Sequence, residues 1–488
     1  MAVDYDLVAI GGSPAGLYTA IAATYLKARV ALVASQLSGT TWLESGSKYS
    51  KALTQVGRVA HQMQEAPSFG VGWEPSEESY RVLGVHFADA LKWAKGVVSA
   101  LDEQYSPAVL ASLGVDVIFG EGEFCRKPHF GFVVNEQILR SRTYLIATGS
   151  RSVIPEINGL QSTGFLTPET IWQQKISSDL PKSLIFIGGD PVGIELAQTF
   201  ARLGSRVTLV VSNAHILPKE DPEASILVQA QLEAEGVRVL TGHQVTQVKW
   251  IDDKKWVQAG DKAIDGDEIV LAIAQQPNVE SLNLEGAGVK VDRYGIKVNQ
   301  KLQTTNPRIY ACGDVLGGYR FAHVANYEAR IALKNMLFFP LFKVDYRHIP
   351  WAIFSDPELA RVGLTEEQAR SRYGDDVLVL RRYFKTIDKA QMQGETTGFC
   401  KIIVLRNGEI LGAHLVGPQA SELIYAIALA MTQRIKIKAL ANLSTIFPTL
   451  SDINSQTAAE WGKLRLSQNN SMENFLETLF NLLRSWAN

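Results

Sequence analysis

Two stretches of the chain repeat one hydrophobic pattern. Residues 5–35, YDLVAIGGSPAGLYTAIAATYLKARVALVAS, run apolar for the length of a strand and turn through glycines. They then carry small and apolar residues at helical spacing and return to an apolar run ending at Val33. Residues 183–213, SLIFIGGDPVGIELAQTFARLGSRVTLVVSN, repeat that order and spacing. Each stretch predicts a βαβ unit of the dinucleotide-binding type. In the last third the pattern changes: FCKIIVLRNGEILGAHLVG alternates with period two, which predicts a sheet with one face covered. After a polar SQNNS segment, Met472, Phe475, Leu476, Leu479, Phe480, Leu483 and Trp486 recur at helical spacing, with Glu473, Asn474, Glu477, Asn481 and Arg484 mostly opposite. That helix either packs on the protein's own body or docks a protein partner through residues 472–486. Its few basic residues argue against anionic lipid as its target.

Length and composition set the frame. The chain has 488 residues, 46% hydrophobic and 20% charged, which makes it a globular protein long enough for about three domains. A net charge of -2 gives no electrostatic case for nucleic acid. No stretch reaches the roughly 18 apolar residues of a membrane span, and the N-terminus leads straight into a strand after an acidic start, so the cytoplasm is the expected location. Cys125, Cys312 and Cys400 are scattered through apolar segments and are expected to be buried, inert thiols.

The glycine turns both depart from the usual G-x-G-x-x-G. In the first, Gly11 and Gly16 hold the outer positions and Ser13 the middle one, where a small hydroxyl can still serve a phosphate at a helix N-terminus. The acid expected at the end of the next strand aligns with Ala34, leaving Ser35 or Gln36 as a neutral substitute. In the second, Gly188 and Gly193 flank Asp190, whose carboxylate would face a pyrophosphate, and the ribose-reading position is Val211. Weak or absent NAD(P)H use is the expectation.

Residues 39–53, GTTWLESGSKYSKAL, resemble the redox-disulfide segment of the pyridine nucleotide-disulfide oxidoreductase family, which includes dihydrolipoamide dehydrogenase, glutathione reductase and mercuric reductase. That family carries something close to GGTCLNVGCIPSKAL here. Aligned on SKAL, the two cysteines fall on Trp42 and Ser47, neither of which exchanges electrons with a thiol. Further segments carry the resemblance: Ala147-Thr148-Gly149, Gly313-Asp314, and Phe321-Ala322-His323-Val324-Ala325. The GRxPN segment appears as Ala274-Gln275-Gln276-Pro277-Asn278, and the C-terminal HPT-(L/M)-S-E as Phe447-Pro448-Thr449-Leu450-Ser451-Asp452. The acid-base imidazole is gone together with both cysteines, and Asp452 has nothing to orient.

The resemblance covers about residues 1–460. It implies an α/β fold with two Rossmann-like domains, FAD and NAD(P)-type, and a C-terminal α+β dimerisation domain. The implied boundaries are 1–150 with 275–345 for FAD, 151–274 for the NAD(P)-type domain, 346–460 for dimerisation, and 461–488 as an extension. It implies FAD as cofactor, held by Gly11, Ser13, Gly16, Ser35, Lys51, Gly122, Thr148, Gly149, Gly313, Asp314 and Ala322. Lys51 paired with Glu195 would stand near the flavin N5 as the catalytic pair, with no metal. The expected activity is a homodimeric FAD-dependent oxidoreductase passing electrons to a small acceptor such as a quinone, as in relatives that lack the disulfide. The alternative is a non-catalytic FAD-loaded sensor or scaffold.

Overall fold

The structure is a computed structural model that describes residues 3–35, 46–72, 85–127, 129–172, 179–467 and 470–486. By its contacts the chain divides into two units, Met1–Ser212 with Gly236–Val344, and Asn213–Glu235 with Asp345–Asn488.

The first unit contains both expected Rossmann-like sheets. One is five-stranded and parallel, in the order Ile309–Ala311, Ser141–Ile146, Tyr5–Ile10, Val30–Ala34, Val115–Phe119. The strand starting at Val30 ends at Ala34, one residue beyond the expected end. Leu7, Ala9, Leu32 and Leu145 project to one face, where the Pro14–Tyr25 and Ala322–Leu337 helices cover them with Ala20, Ala329 and Leu333. Val8, Ile10, Val33 and Ile146 project to the other face, against Phe124 and Phe132 of a three-stranded antiparallel sheet. Both faces are therefore dry, which is why these strands read as continuous apolar runs.

The second sheet is four-stranded and parallel: Arg238–Thr241, Arg206–Val211, Ser183–Ile187, Glu268–Leu271. Its Pro191–Arg202 helix packs Phe200 against Phe186. Outgoing residues Ser150–Ser152 pair antiparallel with returning residues Gln275–Pro277, so the chain leaves and re-enters the first sheet through one two-stranded ribbon.

The second unit is built on a five-stranded antiparallel sheet ordered Trp351–Ile353, Glu358–Gly363, Ile410–Gly417, Phe399–Leu405, Val377–Tyr383. The expectation of one covered face fails here: Phe399–Leu405 and Ile410–Gly417 are buried along their whole lengths. One face carries Cys400, Ile402, Ala413 and Leu415 under helices Ala420–Thr432 and Asp452–Ser467. The other carries the polar members of the alternation, Lys401 and His414, which are cross-strand partners. They are covered because acids from elsewhere in this unit neutralise the lysine. Lys401 Nζ lies 3.0 Å from Asp221 Oδ2 and 2.8 Å from Glu366 Oε2. Asp221 caps the Pro222–Ala234 helix, which the sequence reading had placed within residues 151–274 and which groups with this unit. Arg361 Nη1 donates to Lys219 O at 2.8 Å, stacking its guanidinium 4.7 Å over the Trp351 ring.

The Asn470–Trp486 helix exists as the apolar spacing predicts, but Phe475, Phe480, Leu483 and Trp486 are exposed. Leu476 and Leu479 are half-buried, so packing on the body covers only part of the apolar face among the described residues.

Candidate cofactor site

The first glycine turn is shaped by close backbone contact. Gly11 has φ +117°, and a Cβ there would stand 2.2 Å from Ala147 O. A Cβ on Gly16 would meet Gly11 O at 2.0 Å. Both positions exclude any side chain, and the turn delivers the start of the Pro14–Tyr25 helix to the C-terminal edge of the sheet. Ser13 is that helix's N-cap, its Oγ accepting a long 3.4 Å hydrogen bond from Gly16 N. Ser35 is exposed just past the Val30–Ala34 strand, while Gln36 and Trp42 lie outside the described residues. Gly122 starts the Gly122–Cys125 strand, where a Cβ would meet Val133 O at 2.3 Å, so hairpin packing alone requires glycine there.

At the same edge two segments latch together. Thr148 Oγ1 donates to Asn278 O at 2.7 Å, Asn278 Nδ2 donates to Thr148 O at 3.0 Å, and Asn278 N donates to Gly149 O at 3.1 Å. Arg151 grips Glu280 with a 2.6 Å contact, which holds the Glu280 carboxyl down at about 2. Thus Pro277 and Asn278 lock the ribbon between the two sheets.

Asp314 sits in the tight turn that follows the Ile309–Ala311 strand, half-buried, with Ser150 Oγ 3.0 Å from its Oδ2. The same hydroxyl lies 2.7 Å from Gln275 Oε1, and its single hydrogen serves one acceptor at a time. Burial raises the Asp314 carboxyl above its ordinary value, against the lowering influence of Ser150 and the charge of Arg320. Gly313 has φ +77°, and its N–H donates to the buried Glu328 carboxylate at 2.6 Å. Ala322 is the exposed first residue of its helix, behind an N-cap, Phe321, that supplies no side-chain cap.

Lys51 and Glu195 form an ion pair. Lys51 comes from the Gly46–Glu65 helix and Glu195 from the Pro191–Arg202 helix, which pack together. One turn along, Thr54 and Thr199 hydroxyls meet at 3.1 Å, and a Cβ on Gly57 would touch Thr199 at 3.4 Å, so small residues set this approach. The Glu195 side chain is 3% exposed and that of Lys51 39%. Ser47 is exposed on the same helix.

The second glycine turn copies the first: Gly188 at φ +112° has Ala272 O at 2.2 Å from a notional Cβ. Asp190 is the N-cap, its Oδ1 accepting from Val192 N at 3.2 Å. A carboxylate thus occupies the position where the first turn has a hydroxyl.

The other expected residues are dispersed. Phe447 is exposed in the second unit, and Asp452 opens the Asp452–Ser467 helix, in its first turn. Cys312 and Cys400 are buried, with burial pushing Cys400 up to about 12, whereas Cys125 is only half-buried, its Sγ 3.5 Å from His129 O. Sequence reasoning missed Glu328 and Ser150, and named Asn278 only as part of a motif. Glu328 was findable, because it falls on the apolar face of its helix with Val324, Ala325 and Ala332. Among the described residues no cluster of histidine, cysteine or acids could hold a metal, and no helix is long and apolar enough to cross a membrane.

These residues fit a flavin dinucleotide. The glycine cradle is too close for any Cβ, and two helices on the same side of one sheet begin at its C-terminal edge, with the half-buried Asp314 carboxylate in the turn that leads into the second. Comparisons with known proteins agree. The family model for pyridine nucleotide-disulphide oxidoreductases matches residues 5–329, and that for the family's dimerisation domain matches residues 349–458. The chain is 32% identical over 457 residues to a mercuric reductase of Staphylococcus aureus, covering 92% of this chain and 81% of that one. It is 33% identical over 465 residues to a dihydrolipoyl dehydrogenase of Thermus scotoductus, covering 92% and 95%. Among solved structures it is similar to LpdA of Mycobacterium tuberculosis (TM-score 0.83, 25% identity, 93% and 99% covered). It is also similar to the HOCl-induced flavoprotein disulfide reductase RclA of Escherichia coli (0.81, 26%, 94% and 99%). With two thirds of its length matched by one family model and the dimerisation domain following in order, this chain belongs to the FAD-binding pyridine nucleotide-disulfide oxidoreductases.

Proposed function

We propose that the chain is an FAD-dependent oxidoreductase that passes electrons from its flavin directly to a small acceptor such as a quinone, without disulfide chemistry. The observation that carries this reading is the Lys51–Glu195 pair beside a helix with Ser47, and not cysteine, at the thiol position. Residues 1–150 with 275–345 would hold FAD, and 151–274, apart from the Pro222–Ala234 helix that groups with the second unit, would form the NAD(P)-type portion. Gly11, Ser13, Gly16, Ser35, Thr148, Gly149, Gly313, Asp314 and Ala322 would line the cofactor, whose ring supplies two-electron chemistry when bound.

The chain's own residues would contribute positioning and charge. Asp314 would accept from a ribityl hydroxyl; burial raises its carboxyl above the ordinary value, and an added donor would act in the lowering direction, as Ser150 does. Lys51 would favour negative charge at the ring, with Glu195 fixing its position. Trp42 and Phe447 replace a cysteine and the histidine, so no group at those positions exchanges a proton or a sulfur. Support for weak NAD(P)H use comes from Asp190, which already satisfies a helix N-terminal amide and would repel a pyrophosphate. Anaerobic mixing of the holoprotein with NADH and then NADPH, followed by reduction of the flavin with dithionite and addition of an oxidised benzoquinone analogue, tests this. Rapid bleaching of the visible flavin band by either nucleotide at micromolar concentration would sink the donor part of the reading.

A second reading, a non-catalytic FAD-loaded protein docking a partner, is favoured by the exposed Phe475, Phe480, Leu483 and Trp486. It requires that no small acceptor reoxidise the reduced protein faster than it reoxidises free flavin.

A further inference from the structure

The end of the first unit farthest from the glycine turns carries an apolar tip. The Pro14–Tyr25 and Ala322–Leu337 helices start at the C-terminal edge of the five-stranded parallel sheet and pack side by side, so both finish at its N-terminal edge. There Tyr25 and Leu26 are exposed, and the turn Phe338-Phe339-Pro340-Leu341-Phe342 follows with Phe339 75% and Leu341 72% exposed.

This turn is held in a fixed frame. Asn335, 2% exposed, accepts from Phe342 N at 2.9 Å and donates to Phe342 O at 2.8 Å and Lys301 O at 3.0 Å. Arg142 Nη2 donates to Leu337 O at 2.9 Å, and Val344 N to Gln300 O at 2.9 Å. A buried amide thus spends its hydrogen bonds on presenting aromatic and aliphatic side chains to water, the reverse of an ordinary surface turn.

The rim is basic. Lys27, Arg29, Arg142, Lys334 and Lys343 are exposed around the tip, and Lys334 Nζ lies 5.1 Å over the Phe342 ring. The nearby acids are engaged: Asp4 is paired with Arg140, and Asp6 accepts from Arg29 N at 3.0 Å. Long cationic side chains around a rigid aromatic tip suit the boundary where acyl chains meet phosphate.

We propose that this end docks on an anionic phospholipid surface, with Phe339 and Leu341 entering the acyl boundary and the five bases lying in the phosphate layer. The flavin edge would then face away from the lipid, because the cofactor residues stand at the opposite edge of the same sheet. The inference does not rest on the choice of electron acceptor, since its test reads binding and not turnover.

The test is sedimentation of the full-length holoprotein with phosphatidylcholine vesicles, with and without phosphatidylglycerol. The protein is expected to pellet with the anionic vesicles at low salt, to be released as salt rises, and to stay in solution with phosphatidylcholine alone. Phe339→Ser with Leu341→Ser should weaken anionic-vesicle partitioning at least about tenfold. Lys343→Glu should weaken it on the order of fivefold. An unchanged flavin spectrum and solution mass in these variants shows that folding is intact. The proposal is overturned if the wild type stays in solution with anionic vesicles at low salt, or if the double variant pellets like the wild type. It is equally overturned if, without lipid, the wild type assembles beyond a dimer and the double variant does not, which would assign the tip to a second copy of this chain.

Discussion

Asp190 and Ser13 hold equivalent places in two turns of the same pattern, with Gly11 at φ +117° and Gly188 at φ +112°, and the difference between them is one charge. Both caps accept a backbone amide of their own helix, Ser13 from Gly16 and Asp190 from Val192, but only Asp190 brings a negative charge to the turn. Asp190→Gly should therefore tighten NADH binding at least about tenfold, because it removes like-charge repulsion while a glycine N-cap costs only a few tenths of a kcal/mol. Fluorescence titration of the two proteins checks this, and equal affinities would place the obstacle elsewhere, at Val211 or beyond. Gly11→Ala should abolish FAD retention, since its Cβ would lie 2.2 Å from a backbone oxygen that cannot move without shifting the sheet; the check is cofactor content after purification. Lys51→Met should keep FAD bound and make its midpoint potential more negative by about 30 mV, the equivalent of roughly 1.4 kcal/mol in a two-electron couple. An unchanged potential would mean that the ammonium does not act on the ring.

At the scale of elements, the sequence made the parallel strands, the glycine turns and the amphipathic C-terminal helix legible, because each depends on local periodicity or on a steric demand met by glycine alone. It did not make legible the burial of Lys401 and His414. Period-two alternation marks a polar residue as solvent-facing, and only the tertiary arrangement brings Asp221 and Glu366 to neutralise the lysine. The same non-local logic hid the Thr148–Asn278 latch, which joins residues far apart in the chain. His414 carries a measurable consequence. Burial and the charge of Arg361 lower it from 6.5 to about 4, so it stays neutral in the folded chain while the unfolded chain takes up its proton. Its contribution to stability is fully present above the ordinary value and is lost as pH falls through the window down to about 4, a change of about 3 kcal/mol. His414→Leu should flatten the fall in melting temperature across that window. Deleting residues 468–488 should leave both the melting temperature and the FAD content close to wild type, given how much of the last helix is exposed.

For the whole molecule, family membership and the order of domains fix an FAD-binding oxidoreductase with a dimerisation domain. On the proposed reading, Trp42, Ser47 and Phe447 stand where the family places the residues of thiol exchange. The central claim is that one redox centre per chain remains where disulfide-bearing relatives have two. Anaerobic titration of the purified holoprotein with dithionite, followed in the visible spectrum, tests it directly. The account requires complete bleaching with two electrons per FAD and no long-wavelength charge-transfer band at any stage. Uptake of four electrons per FAD, or a charge-transfer band at half-reduction, would reveal a second redox pair and contradict it.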